Sequence, residues 1–128
     1  MRQAVALLLL RDGKILAISR GIWKPWDMGL PGGKVELGET LEDAVVRETF
    51  EEIGIYVRNP MHVYTRRCAG PTDFETTVFM ADWLGGWPRL VGREGWVRWV
   101  EPEKLCKGTF GEYNKKMLAH VRANGLRI

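Results

Sequence analysis

Apolar residues run unbroken over positions 4–10 and resume over 15–18, with Asp12-Gly13 between them. That dipeptide suits a tight turn with positive φ, so the pattern predicts a hairpin with both strands in the core. A helical period follows. Thr40 with Asp43 three residues on reads as a capping-box-like start and Gly54 as a C-terminal cap, which predicts a helix over Leu41–Ile53. At roughly 100° per residue, Val46, Phe50 and Ile53 share one side with Thr49 at its edge, while Glu48, Glu51 and Glu52 cluster nearly opposite. Positions 61–67 and 76–84 read as strands joined by a turn at 69–73, and 96–100 as a further strand. In that strand Val97 and Trp99 take one face and Trp96, Arg98 and Val100 the other. The last helix spans about 110–123, with Phe110, Tyr113, Met117, Leu118 and Val121 as its apolar stripe. Many strands with one central and one C-terminal helix make an α+β fold, a mixed sheet sandwiched between helices.

A chain of 128 residues accommodates one domain, 1–128, with a real core. Its 45% hydrophobic and 27% charged residues are those of a soluble globular protein and exclude a disordered one. The net charge of +3 is mild. It favours anionic ligands such as phosphates, but the basic residues are scattered, so charge does not point to a nucleic-acid partner. Cys68 and Cys106 have no partner at metal-ligand spacing, and a reduced, cytoplasmic setting is the default, with a disulfide between them left open. The seven-residue apolar run at 4–10 is too short to cross a membrane and carries no targeting signal. Exposed strands and six tryptophans are compatible with a homodimer.

The acidic side of the first helix is locally costly. Like charges at i, i+3 and i+4 cost a few tenths of a kcal/mol per pair, and anions in the last turn oppose the helix dipole by ~0.3–1 kcal/mol each. A solvated acidic face would simply bear that cost, whereas a bound divalent cation would reverse it. The surrounding pattern bears on the choice: Gly33, five residues, Glu39, seven residues, Arg47-Glu48, two residues, Glu51-Glu52, one residue, Gly54, Ile55. It resembles the signature of the Nudix hydrolases at every charged and glycine position. Thr49, where that family usually carries an aliphatic residue, departs from it.

The resemblance implies an α/β/α sandwich and hydrolysis of a nucleoside diphosphate linked to another group X. It also implies that Glu48, Glu51, Glu52 and the Gly32 carbonyl hold the metal. Such an oxygen-only set suits Mg²⁺ or Mn²⁺ over zinc, and Mg²⁺ completes its shell with substrate phosphates. Glu52 is the first choice for orienting or deprotonating the attacking water. Glu94 is the candidate for a loop carboxylate doing so instead, with Glu101 and Glu112 behind it. Arg47 and Glu39 read as an ion pair fixing loop to helix.

Arg20, at a strand end, is a phosphate contact or a solvated charge, and Lys34 is a phosphate contact or a surface lysine. Trp23 and Trp26 form a packed lid or a base-stacking surface, with packing preferred. Tyr113 and Asn114, with Phe110, are the place to look for base contacts, though core packing is the preferred role for Phe110. The expected substrate is a small-molecule nucleotide, first a nucleoside triphosphate. ADP-ribose or a nucleotide sugar is the alternative, because Pro71 falls 16 residues after Ile55 as in ADP-ribose-cleaving members. A non-catalytic nucleotide sensor is the other class of function.

Overall fold

In a computed structural model of the chain, residues 2–21, 23–67 and 73–128 are described. The N-terminal apolar run is not one strand. β1 (Arg2–Leu7) lies in one sheet and β2 (Leu10–Arg11) in another. Leu8 N–H still donates to the Phe79 carbonyl of the first sheet at 2.8 Å, while the Leu9 carbonyl accepts from Leu16 N–H of the second at 3.0 Å. The crossing therefore occurs between two consecutive leucines, both buried. The expected turn forms at Asp12-Gly13, both with positive φ, and closes the short hairpin of β2 with β3 (Lys14–Ser19).

The first sheet has the order β5-β1-β7-β6, built from β5 (Gly32–Lys34), β6 (Tyr56–Arg67) and β7 (Phe74–Gly85) around β1. β1 and β7 are parallel with Arg2 opposite Phe74, and the other pairings are antiparallel. In the second sheet β3 pairs antiparallel with β2, with β4 (Met28–Gly29) and with β8 (Val97–Val100). The mixed sheet expected from the pattern is thus two four-stranded sheets, one mixed and one antiparallel.

Period-two alternation sorts the strands onto two faces. Val5 and Leu7 of β1 and Leu16 and Ile18 of β3 join the core beneath α1 (Leu41–Ile53). Leu8, Ile15 and Ala17 join the core beneath α2 (Gly111–Ala123), with Met117, Leu118 and Val121. Each helix covers one face, which is the expected sandwich. Val97 and Trp99 pack on the α1 side, and Trp96 and Val100 on the α2 side, as their alternation predicts.

α1 begins where its caps place it: Thr40 Oγ1 accepts from Asp43 N–H at 3.0 Å, and Gly54 sits at φ 72°. Its buried stripe differs from the expected one and comprises Ala44, Val45, Thr49 and Ile53. Thr49 is fully enclosed at the centre of that stripe, not at its edge. Phe50 is 44% exposed and stacks on Tyr56 at 4.6 Å instead of entering the core. The helix is rolled so that Ala44, Val45 and Thr49 face the core. That roll brings Glu48 and Glu52 to the rim of the buried face, so they are not opposite it.

No described helix is long and apolar enough to cross a membrane. Cys106 carries a free thiol, while Cys68 and, of the turn expected at 69–73, residues 69–72 with Pro71 lie outside the described residues.

The Thr49 hydroxyl is buried without a hydrogen-bond partner among the described residues. An unsatisfied buried donor costs about 1–3 kcal/mol, whereas a methyl of the same shape costs nothing to desolvate. Thr49→Val is therefore expected to raise the unfolding free energy by about 1 kcal/mol. Urea unfolding checks this, and a lower midpoint at unchanged slope would show that the hydroxyl is bonded in solution.

Candidate active site

β5 and α1 meet at their glycines and glutamates. Gly32 lies opposite Ala6 and Gly33 opposite Val5 in the ladder. A Cβ on Gly32 would run into the Val5 carbonyl, and one on Gly33 into the Glu48 carboxylate. Glycine is required here for close approach: the missing side chains let an acidic helix edge rest directly on main chain. Gly32 N–H donates to Glu52 Oε1 at 2.8 Å. Glu52 is half-buried, and among the described residues no ion pair reaches it. Burial pushes its pKa above the usual carboxylate value. The Gly32 N–H and the charge of Arg93 pull against that rise, Glu48 adds to it, and Arg20 opposes it.

The other two glutamates are held by Arg47. Its Nε and Nη2 grip Glu39 at 2.7 and 2.9 Å, the expected bidentate pair, while Nη1 donates to Glu48 at 2.9 Å and Glu51 at 3.0 Å. Nη2 also reaches the Lys34 carbonyl at 3.0 Å, which fastens the end of β5 to the helix. The hydrogen bonds from Arg47 and from Glu36 N–H hold the Glu39 carboxyl down at about 2. Arg47 in turn is held above its own high range, chiefly by Glu39.

Among the described residues no three acidic side chains converge on one point. Glu48 and Glu51 are turned onto Arg47 and Glu52 onto Gly32. The residues nonetheless fit a hard cation. Glu52 is a half-buried carboxylate beside Glu48 with no ion pair of its own, every donor is oxygen, and the Gly33 position leaves the Glu48 carboxylate open to main-chain groups.

A cavity of about 270 Å³ opens from this point. Glu52, Gly32, Phe74, Phe110, Tyr113 and Asn114 are among the residues that line it. Arg20 lies flat over the Phe110 ring at 4.2 Å, and Lys34 Nζ stands 5.7 Å from the Phe74 ring centre. The structure thus brings Arg20, Lys34, Tyr113 and Asn114 together with Glu52 in one chamber. Asn114 is buried, and its Nδ2 donates to the Leu105 carbonyl at 3.0 Å, which leaves Oδ1 as the acceptor it can offer. Tyr113 is held by its hydroxyl on the Thr76 carbonyl at 2.7 Å and presents its ring. Phe110 lines the cavity and is not sealed in the core.

Glu94 is exposed and does not line the cavity; Glu101 and Glu112 are exposed as well. Trp23 and Trp26 are 88% and 52% exposed, so the packed role preferred for them is not what the structure shows. Sequence reasoning missed Phe74 and Arg93. Phe74 leads a run in which Thr76 follows two positions on, a period-two signal for a shared face. Arg93 carries no such signal, because only the folded loop brings it to the Ser19 carbonyl beside Arg20.

The chain matches the NUDIX domain family over residues 1–121. It is 34% identical over 119 residues to a MutT-like protein of Streptomyces ambofaciens, covering 91% of this chain and 74% of that protein. It is 40% identical over 91 residues to the 8-oxo-dGTP diphosphatase of Haemophilus influenzae, covering 69% of this chain and 65% of that protein. The match thus spans just under two thirds of the Haemophilus protein's own length. In structure it is similar to a MutT NUDIX hydrolase from Burkholderia pseudomallei, with a TM-score of 0.78 at 28% identity over 94% of this chain and 97% of that one.

Because the Glu39 pKa is depressed on folding, its contribution to stability is complete above the unfolded value of 4.5 and fades as pH falls through about 2. Glu39→Gln removes that contribution. Thermal melts of both proteins against pH are expected to show a gap that is constant above about pH 4.5 and closes towards pH 2. A gap unchanged at pH 2 would mean the pair does not act through charge.

Proposed function

The chain belongs to the NUDIX family, hydrolases that act on phosphoanhydrides with divalent metal cations, and on that premise we propose that it cleaves nucleoside triphosphates to the monophosphate and pyrophosphate. The observation that carries this reading is the continuity of one cavity from Glu52 and Gly32 to a chamber bearing Phe74, Phe110 and the Asn114 amide. Aromatic rings offer stacking surfaces for a base, and an amide acceptor offers it a hydrogen bond. At about 270 Å³ the chamber suits one nucleoside, with the phosphates leaving towards the glutamates. Arg20 sits on that route without a carboxylate partner among the described residues and is assigned to phosphate, with Lys34 beside it. The name of the Haemophilus relative, an 8-oxo-dGTP diphosphatase, supports a triphosphate.

Glu48, Glu51, Glu52 and the Gly32 carbonyl would hold Mg²⁺, with Mn²⁺ as a substitute. When bound, the metal neutralises phosphoryl charge and lowers the pKa of a coordinated water. The chain's own residues do the rest. Arg20 and Lys34 hold the phosphate run, and the phenylalanine-walled chamber fixes the base, so the reacting phosphorus is presented at Glu52. Glu52, held by Gly32 N–H and made more basic by burial, orients the water and receives its proton. Arg47 and Glu39 keep the helix edge and the loop in register and do not touch the substrate. Glu94 would take the proton only by a movement of its loop.

Turnover of purified protein with Mg²⁺ is expected on nucleoside triphosphates, in preference to ADP-ribose, nucleotide sugars and dinucleoside polyphosphates. Preferential cleavage of ADP-ribose would replace the triphosphate reading, and tight nucleotide binding without cleavage would make the protein a sensor. Glu52→Gln keeps shape and removes charge, and is expected to lower kcat by about a hundredfold or more at an unchanged melting temperature. Full activity would remove Glu52 from its role, and the same loss in Glu94→Gln alone would move the base to the loop.

A further inference from the structure

The segment between β7 and β8 docks on the C-terminal end of α1. Arg89 N–H donates to the Ile53 carbonyl at 3.0 Å and Val91 N–H to the Glu52 carbonyl at 2.9 Å, so main-chain donors close the helix end. At its far side Trp96 N–H donates to Ser19 Oγ at 2.9 Å, and Gly95, at φ 140°, packs where any Cβ would strike that hydroxyl. Between these anchors Arg93 Nη2 donates to the Ser19 carbonyl at 2.8 Å. Ser19 immediately precedes Arg20, which lines the cavity.

Arg93 is therefore fixed in place by one main-chain bond, and among the described residues it has neither a carboxylate partner nor any other hydrogen bond. A guanidinium carries five N–H groups in a planar fork. One is committed to Ser19. Arg93 is outside the cavity lining, whereas Arg20 and Glu52 are within it. Val91, two residues before Arg93, is bonded to the Glu52 carbonyl, and Ser19, which holds Arg93, immediately precedes Arg20, so the loop that carries Arg93 is tied to the main chain at both site residues.

We propose that Arg93 is a phosphate-binding residue specific for the distal end of the substrate, holding the pyrophosphate portion as it emerges past Glu52, while Arg20 holds the phosphate nearer the nucleoside. A carboxylate site of three glutamates repels a polyphosphate, and two arginines without carboxylate partners among the described residues offset that repulsion where the substrate is most negative. Because the loop is anchored at both ends before ligand arrives, little ordering is left to oppose binding. The consequence is selectivity by chain length: a triphosphate reaches Arg93 and a diphosphate does not. This rests on the triphosphate reading for its biological meaning, but the affinity for pyrophosphate itself does not.

Two measurements test it. Isothermal calorimetry with inorganic pyrophosphate and with inorganic phosphate, in Mg²⁺, is run on wild type, Arg93→Gln and Arg93→Lys. Arg93→Gln is expected to weaken pyrophosphate about tenfold or more, leave phosphate unchanged, and raise KM for a triphosphate by a similar factor with kcat nearly constant. Arg93→Lys, a point charge without the fork, is expected to fall between. Equal pyrophosphate affinity in a folded Arg93→Gln protein overturns the proposal. In the unaltered protein, pyrophosphate but not phosphate is expected to shield Arg93 from phenylglyoxal, read by peptide mass spectrometry. Modification at the same rate with and without pyrophosphate overturns it independently of how any variant folds. If ADP-ribose proves to be the substrate while pyrophosphate still shields Arg93, the triphosphate reading fails and the Arg93 assignment stands.

Discussion

The Arg47 guanidinium gives hydrogen bonds to Glu39, Glu48, Glu51 and the Lys34 carbonyl, and the geometry of the site follows from that convergence. Left alone, three glutamates on one helix edge would repel one another and the negative end of their own helix. Arg47 supplies the nearest positive charge and, through Lys34, ties that edge to the strand bearing Gly32 and Gly33. The role demands arginine. A lysine offers a single point of charge and cannot hold Glu39 by two parallel bonds while serving other acceptors. The arrangement also leaves one carboxylate outside the network. Among the described residues the Glu52 side chain is bonded only to a main-chain N–H, so of the three it alone is half-buried there without an ion pair.

The helix end shows the same economy. Glu51 and Glu52 stand in the last turn, which carries no basic side chain. The carbonyls there are met instead by the Gly54, Arg89 and Val91 N–H groups. A loop that completes a helix in this way is positioned by the helix, and whatever it carries is positioned too. Arg93 rides on it and is bonded to the carbonyl of Ser19, the residue before Arg20.

The fold was legible in the sequence because its signals are local and redundant: Thr40 and Gly54 mark a helix, Asp12-Gly13 marks a turn, and alternation in the strands assigns the two cores. The acidic set and the Arg47–Glu39 pair were legible because their spacing is fixed by one helix and one loop. Less visible were features set by how elements rest on one another. A helical wheel does not reveal which way α1 rolls, so Thr49 and Phe50 exchanged their expected places. The break of the first apolar run at Leu8 and Leu9 is silent, since both residues are leucines buried in opposite cores. Phe74 lines the cavity and Arg93 is bonded to the Ser19 carbonyl from strand and loop positions whose neighbours are distant in sequence, and Glu94, adjacent to Arg93, is exposed and outside the cavity lining.

The parallel pairing of β1 with β7 has a consequence for how the molecule is made. Arg2 finds its partner at Phe74, so the centre of the first sheet waits on residues synthesised much later. Until then the most apolar stretch of the chain, residues 4–10, has only the short β2–β3 hairpin to shelter in. Contacts this far apart in sequence slow folding, because the loop must close before any contact repays its entropy. The β1–β7 pairing is therefore the long-range closure on which the centre of the first sheet depends.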